Sequence, residues 1–429
     1  MRVDPADPRP RVFAVTTDLA LTGAKRVLVD GAVGIDRRRF RPGVLLLSPV
    51  DDADPLRREL AAAGVDVHHV RVRSRLDVRG LLDLRAWVRD VGRPDLLHTH
   101  CARSAGVVRL VALGEPAARR PRVVVHFHGT VSARALRWKH RLLDRVVRGM
   151  TSMVVAPTLH SALRGARVHA YRGMPVRVVP NGIDFSRIAR AARSVESVRR
   201  SWGVPEGTRV VLLLGRWGAA KGHDVLLDAI PAVLAHPEPV RFVLVAPEGG
   251  GEYRSALERM VRRTALRRHV VFTGRDTDPG SCYAAADVVT VPSRDEPFGL
   301  VAVEAMAAGR TLVAARAGGL PEVCGDRAGV LWVEPGDPDA LARALLTALE
   351  EPAGARDARA VAARSRATDF ALGRYIAHLE SVYAEVLRRP DLAPPGGRPV
   401  GARDVSWPRG IRRAAAVAPV GATPAFAAR

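Results

Sequence analysis

The chain has 429 residues, 67 Lys+Arg against 44 Asp+Glu, a formal net charge of +23, and 47% hydrophobic and 26% charged positions. That apolar fraction excludes a mostly disordered basic tail, and the length suits two or three domains with buried cores. No run approaches the ~18 consecutive apolar residues of a membrane helix, and the opening MRVDPADPRPRV lacks the apolar stretch of a secretory signal, so the cytosol is the expected compartment. Cys101, Cys282 and Cys324 are far apart, odd in number and without C-x-x-C spacing. They point to neither a disulfide framework nor a zinc site, and read as small buried hydrophobes.

In chain order, short β-branched runs alternate with helix-like segments, the pattern of parallel sheets built from βαβ units. The first series comprises RVFAVT (11–16), PGVLLL (42–47), VDVHHV (65–70), LLHTH (96–100), RVVVHF (122–127), SMVVAP (152–157) and VRVVP (176–180). Turn chemistry at Asn181-Gly182 then marks a boundary. The second series comprises RVVLLLG (209–215), RFVLVAP (241–247), HVVFTG (269–274), DVVTVP (287–292), RTLVAA (310–315) and GVLWVE (329–334). The reading is an α/β chain with two doubly wound, Rossmann-like domains across a cleft, residues 1–180 and 181–388. The last helix is free to cross back to the first domain. Residues 389–429, rich in Pro, Gly and Ala, read as a disordered basic tail.

The charge is uneven: +17 over residues 1–180, zero over 181–387 and +6 beyond. Lysine occurs only at positions 25, 139 and 221, so arginine supplies nearly all the positive charge and a lysine beside a loop is informative. Arg134, Arg137, Arg141, Arg145 and Arg148 recur at helical steps in SARALRWKHRLLDRVVRGM (132–150), beside an apolar stripe of Leu136, Leu143, Val146, Val147 and Met150. Such a helix suits an anionic membrane surface, or is a solvated face over a core. A nucleic-acid partner is not expected: aromatics are 5% of residues and no binding motif occurs.

Two segments carry chemistry. In LLLGRWGAAKGHDVLLDAI (212–230) a strand, a glycine loop and a helix start bring Arg216 and Lys221 near free backbone N–H groups, a combination suited to a diphosphate. It is not a Walker loop, because Ala220 precedes the lysine. In VPSRDEPFGLVAVEAMAAG (291–309), Glu296 and Glu304 flank the N–H groups of Phe298, Gly299, Leu300 and Val301. The carboxylates can accept from sugar hydroxyls, although from spacing alone they read first as ordinary exposed or capping residues, since such pairs are common. Three D-x-D triplets, at 52–54, 276–278 and 337–339, read as chance occurrences of a short metal motif.

Together PNGID, LGRWGAAKG, VVFTG and PSRDEPFGLVAVEAMAAGRTLVAARAGGLPEV resemble, in order and spacing, the family 4 glycosyltransferases, retaining enzymes of the GT-B fold. The likeness spans roughly residues 11–387. It implies a nucleotide-diphosphate sugar donor, with Arg216 and Lys221 on the diphosphate, Glu304 on the ribose, Glu296 on the sugar beside the amides of Gly299, Leu300 and Val301, and the base near Thr273, Gly274 and Arg275. VVVHFHGT (123–130) resembles the family's strand ending in a histidine by the donor sugar, assigned to His128 with His126 as competitor. The family's glycine loop after the first strand is altered to DLALTGAKR (18–26), with Thr22 before Gly23 and Lys25 nearby, a lysine able to meet a phosphate or acidic acceptor. The implied reaction needs no metal and no cofactor, and its acceptor is a hydroxyl, free or lipid-linked. A GT-B-like sugar-nucleotide epimerase is the alternative enzyme.

Overall fold

The computed structural model describes residues 7–20, 22–129, 145–168, 174–190, 193–246, 250–274, 278–389 and 391. Among the described residues two all-parallel sheets form. The first contains β1 (Arg11–Thr16), β2 (Arg41–Leu46), β3 (Asp66–His69), β4 (Leu96–Thr99), β5 (Arg122–His126), β6 (Met153–Ala156) and β7 (Val176–Val178), in the order β3-β2-β1-β4-β5-β6-β7. The second contains β8 (Arg209–Leu214), β9 (Val240–Val245), β10 (Val270–Thr273), β11 (Val288–Val291), β12 (Thr311–Ala315) and β13 (Leu331–Val333), in the order β10-β9-β8-β11-β12-β13. The central strands are buried on both faces because helices cover both; β4, β11 and β12 are buried throughout. Each sheet reverses its winding once, between β1 and β4 and between β8 and β11. Those reversals open crevices at the strands' carboxyl ends.

The D-x-D triplets have a structural explanation. Asp54 caps the helix Pro55–Ala62, Asp278 the helix Pro279–Ala285, and Asp337 the helix Pro338–Glu350, each accepting first-turn N–H groups ahead of a proline. Asp-Pro is a helix-start signal here, since Asp fills the N-cap and proline needs no N–H at the first helical position. Of the cysteines, Cys282 and Cys324 are buried in the second domain's core. Cys101 is not: it is only partly buried, and its Sγ accepts from the Ser104 amide at the start of the helix Ala102–Leu113.

The last described helix, Leu372–Leu387, leaves the second sheet and packs on the first. Tyr375, Leu379 and Tyr383 share a core cluster with Val12, Val27, Phe40, Leu96 and Val155. Its buried Glu380 accepts from the Asp36 amide at 2.8 Å and from Arg39 at 2.6 Å. The two connections between domains lie side by side: the Ile183 amide donates to the Phe370 carbonyl and the Leu372 amide to the Ile183 carbonyl, both at 2.9 Å. Gly182 permits this, because a Cβ there would press on Tyr375 and Leu372. No helix among the described residues is long and apolar enough to cross a membrane. Nearly all of the tail, and the 132–150 segment as far as Arg134, Arg137 and Arg141, lie outside the described residues.

Candidate functional site

Both crevices carry the residues singled out above. After β8 the chain passes Arg216, which is exposed, and a 3-10 turn, Ala219–Lys221. Gly222 starts the helix His223–Val233 with φ of +70°, where a Cβ would overlap the Pro292 carbonyl. That close approach brings Lys221 to the loop after β11, and its ammonium pairs with Glu296. Glu296 is buried, with the Ser293 hydroxyl 3.4 Å from the same carboxylate oxygen. A buried carboxylate requires such donors, as an unpaired charge away from water is costly.

The loop from Ser293 to Gly299 is fixed on all sides. The Arg294 amide donates to the Ala220 carbonyl, and its guanidinium forks onto Asp224 at 2.8 Å through both nitrogens. The Glu296 carbonyl accepts from Gly319, and Gly318 sits so close to it that a side chain would collide. Gly299, at φ +92°, then opens the helix Leu300–Ala307. Phe298 is buried against Phe370, and Leu300 and Val301 are half-buried at the helix start. One turn in, Glu304 accepts a 2.6 Å hydrogen bond from the Tyr283 hydroxyl. Thr273 ends β10, and Gly274 follows with open space beside it. Arg275 lies outside the described residues.

The first domain meets this loop directly. The hydroxyls of Thr158 and Ser161 donate to the Pro297 carbonyl at 2.8 and 3.0 Å. Arg164 pairs with Asp295, and Glu322 of the second domain accepts the amides of Leu159 and His160 at 2.7 Å each. Burial pushes the Glu322 carboxyl up, and those two amides oppose the rise. Gly129, one residue past His128, abuts Pro297 so closely that a Cβ would collide. Gly23, at the start of the helix Gly23–Gly34, faces Leu300 with 2.7 Å between its would-be Cβ and Leu300 Cδ1. Lys25, by contrast, turns inward: it is buried, bonded to the Thr16 hydroxyl and 3.7 Å from Asp18.

The β4/β5 register sets His98 beside Val124 and Thr99 beside Val125, so alternation puts His98, His100, His126 and His128 on one face. His126 and His128 stack at 4.0 Å between ring centres, and His100 Nδ1 lies 3.1 Å from His128 Nε2. His126 is buried within β5, whereas His128 is past its end and half-buried at the crevice. The structure therefore brings Gly23, His128, Lys221, Glu296, Phe298, Gly299, Leu300, Val301 and Glu304 to the facing edges of the two sheets, with Arg216 and Thr273 on neighbouring loops. Sequence reasoning passed over Tyr283, Ser293, Glu322, His98 and His100. The signal for the last two was the paired H-x-H in LLHTH and VVHFH.

Comparison with known proteins is decisive for the family. The family model described as "Glycosyltransferase Family 4" matches residues 21–187, and that described as "Glycosyl transferases group 1" matches residues 208–351. The chain belongs to the family 4 glycosyltransferases. A D-inositol 3-phosphate glycosyltransferase of Corynebacterium kroppenstedtii is 35% identical over 225 residues, 50% of this chain and 49% of that protein. An uncharacterized glycosyltransferase of Methanocaldococcus jannaschii is 36% identical over 171 residues, 39% of this chain and 43% of that protein. The chain thus spans about half the length of the curated relatives it matches. Anabaena HepE, solved with UDP and glucose, superposes with a TM-score of 0.72 at 23% identity, covering 88% of this chain and all of that one. Sucrose-phosphate synthase of Thermosynechococcus elongatus gives 0.69 at 20% identity, covering 89% of this chain and all of that one. These likenesses identify the fold as GT-B.

In this family 4 chain the histidine face has a pH consequence. Burial, together with neighbouring imidazoles, pushes His100 and His126 well below the usual range and His98 to about 3; burial and Lys25 hold His128 at about 3. The unfolded chain titrates near 6.5, so it binds more protons than the native state below that pH and stability falls as pH drops. Each such imidazole costs about 1.4 kcal/mol per pH unit. Chemical denaturation at pH 7.5, 6 and 5 is expected to show this loss, with a shallower slope in His126→Phe; a slope unchanged by the substitution would contradict it.

Proposed function

We propose that this protein transfers a sugar from a nucleotide-diphosphate donor to a hydroxyl acceptor, with retained configuration and without a metal ion on the diphosphate. The observation that carries the reading is the Lys221–Glu296 pair at the β8/β11 reversal, beside the Gly299 helix start and Glu304 and facing His128 and Gly129 across Pro297. The matched family and the UDP and glucose complexes of its structural neighbour support the donor class.

Cleaving the glycosyl–phosphate bond leaves oxocarbenium character on the sugar and negative charge on the departing diphosphate. Arg216, Lys221 and the amides at the start of the helix Leu300–Ala307 oppose that charge, which is worth most where it develops. Glu304, oriented by Tyr283, accepts from the ribose hydroxyls, and Glu296 from the sugar. The base sits by Thr273 and Gly274. Donor phosphate competes with Glu296 for Lys221, so one cation links sugar recognition to leaving-group stabilisation. His128 stands over the sugar from the first domain, where Gly23 lets the backbone approach the ligand. The acceptor attacks the face the diphosphate leaves, and its proton passes to the departing phosphate oxygen.

The acceptor lies on the basic side, and an acidic or lipid-linked hydroxyl compound at an anionic membrane surface suits it best. Supporting this are the +17 of residues 1–180, exposed Val146 between exposed Arg145 and Arg148, and exposed Leu76, Val78 and Leu82 beside Arg79. Sedimentation with anionic and neutral liposomes tests it: preference for anionic lipid is expected, and equal or no binding overturns it. For the transfer itself, UDP-, GDP- and ADP-sugars are first screened by calorimetry. With the donor so found, Lys221→Ala is expected to lower kcat by about 10²–10³-fold and Glu304→Ala to raise the donor KM at least about tenfold, both with unchanged circular dichroism. Full turnover in both variants would refute the assignment.

A further inference from the structure

Beneath the proposed sugar site the described structure holds a second constellation that the reaction does not use. His98 and His126 are 0% and 2% exposed, and His100 is 5% exposed. One ring nitrogen from each of the three lies within 4.8 Å of the others. His98 Nε2 and both ring nitrogens of His126 have no hydrogen-bond partner, nor has the Tyr375 hydroxyl nearby. The rings around His126 are themselves imidazoles: His98, His100 and His128 at 5.3, 5.1 and 4.0 Å between centres. A small cavity borders the group, with Ala14, Gly31, His98, His100, Tyr375 and Tyr383 in its wall.

Outer contacts already orient two of the rings. His98 Nδ1 is 2.7 Å from the Tyr383 hydroxyl on the crossing helix, and His100 Nδ1 is 3.1 Å from His128 Nε2. With Nδ1 occupied in both, Nε2 is the nitrogen left for a shared ligand. A ligand imidazole held through its other nitrogen is the usual arrangement of a metal-binding histidine, because that contact fixes tautomer and ring plane. Three neutral imidazoles without a carboxylate or thiolate suit a divalent transition metal such as zinc rather than magnesium or calcium. Zinc–nitrogen distances of about 2.0–2.1 Å require the nitrogens to draw closer than 4.8 Å, a movement that falls to His126, whose ring nitrogens no hydrogen bond holds.

We infer that His98, His100 and His126 form a binding site for one divalent transition-metal ion, buried under the crevice and held in register by Tyr383. The ion is remote in role from the donor diphosphate, which Arg216 and Lys221 serve. It acts by position: with Nε2 of His100 on the metal, Nδ1–H of His100 donates to His128 Nε2, and His128 keeps its own proton on Nδ1. The C-terminal helix contributes Tyr383, so the ion also ties that helix to the first sheet.

The test uses the full chain without an affinity tag, stripped with chelator and returned to metal-free buffer. Titration with Co²⁺ is expected to saturate at one ion per chain, with the visible absorption of four- or five-coordinate nitrogen ligation, and Zn²⁺ is expected to displace it. His126→Gln is expected to abolish the absorption. Tyr383→Phe, which keeps the packing and removes the contact to His98 Nδ1, is expected to weaken Co²⁺ binding about 10–100-fold, while His236→Ala, outside the cluster, leaves it unchanged. Absence of the absorption in the wild-type chain, or equal binding in wild type and Tyr383→Phe, would overturn the site. The readout is independent of glycosyl transfer, so an active enzyme without Co²⁺ binding refutes the metal site alone.

Discussion

The loop Ser293–Gly299 has almost no freedom, and the rest of the site depends on that. Gly222 lets the Pro292 carbonyl in on one side, Gly318 lets the Glu296 backbone in on another, and Gly129 of the first domain admits Pro297. None of these approaches tolerates a Cβ. Arg294 anchors the loop to Asp224 and to the 3-10 turn that ends at Lys221. Lys221 and Glu296 therefore meet because the backbones beneath them are locked together. The helix start at Gly299 is set by the same constraint.

Contact between the domains is built on that loop and on polar groups. Pro297 accepts two hydroxyls, Asp295 an arginine, and Glu322 two amides at the start of the helix Leu159–Val168. Interfaces made of individual hydrogen bonds contribute little net stability each, about 0.5–1.5 kcal/mol, because water offers competing partners. The apolar union is elsewhere, where Leu372–Leu387 lies on the first sheet. A firm attachment at the crossing helix combined with a polar contact at the cleft suits relative motion of the two sheets about the isolated bridge between Ile183 and Ala371.

The sequence made the sheets legible because each strand is a short β-branched run bounded by turn residues, and burial on both faces leaves no other use for such runs. Lys221 stood out because lysine is rare in this chain. Glu296 and Glu304 became readable only through their neighbours, since spacing alone does not separate a buried carboxylate from a capping one. What remained hidden depended on pairing between distant segments. Tyr283 reaches Glu304 from another helix, Glu322 works across the cleft, and the four histidines become a face only once the β4/β5 register is known. The D-x-D triplets show the converse: a motif borrowed from metal sites is here helix-cap chemistry. Cys101 shows it too, as a cap rather than a core residue.

The overall charge, +23, does not come from the segment that holds Arg216 and Lys221, whose net charge is zero. The central claim is that Lys221 is shared between Glu296 and a donor diphosphate at the β8/β11 reversal. A crystal structure with the nucleotide sugar found by the calorimetric screen addresses it most directly. The account predicts the diphosphate between Arg216, Lys221 and the Gly299 helix start, with the ribose on Glu304 and the donor's sugar between Glu296 and His128. A nucleotide seated elsewhere, or one that leaves Lys221 paired with Glu296 alone, would contradict it.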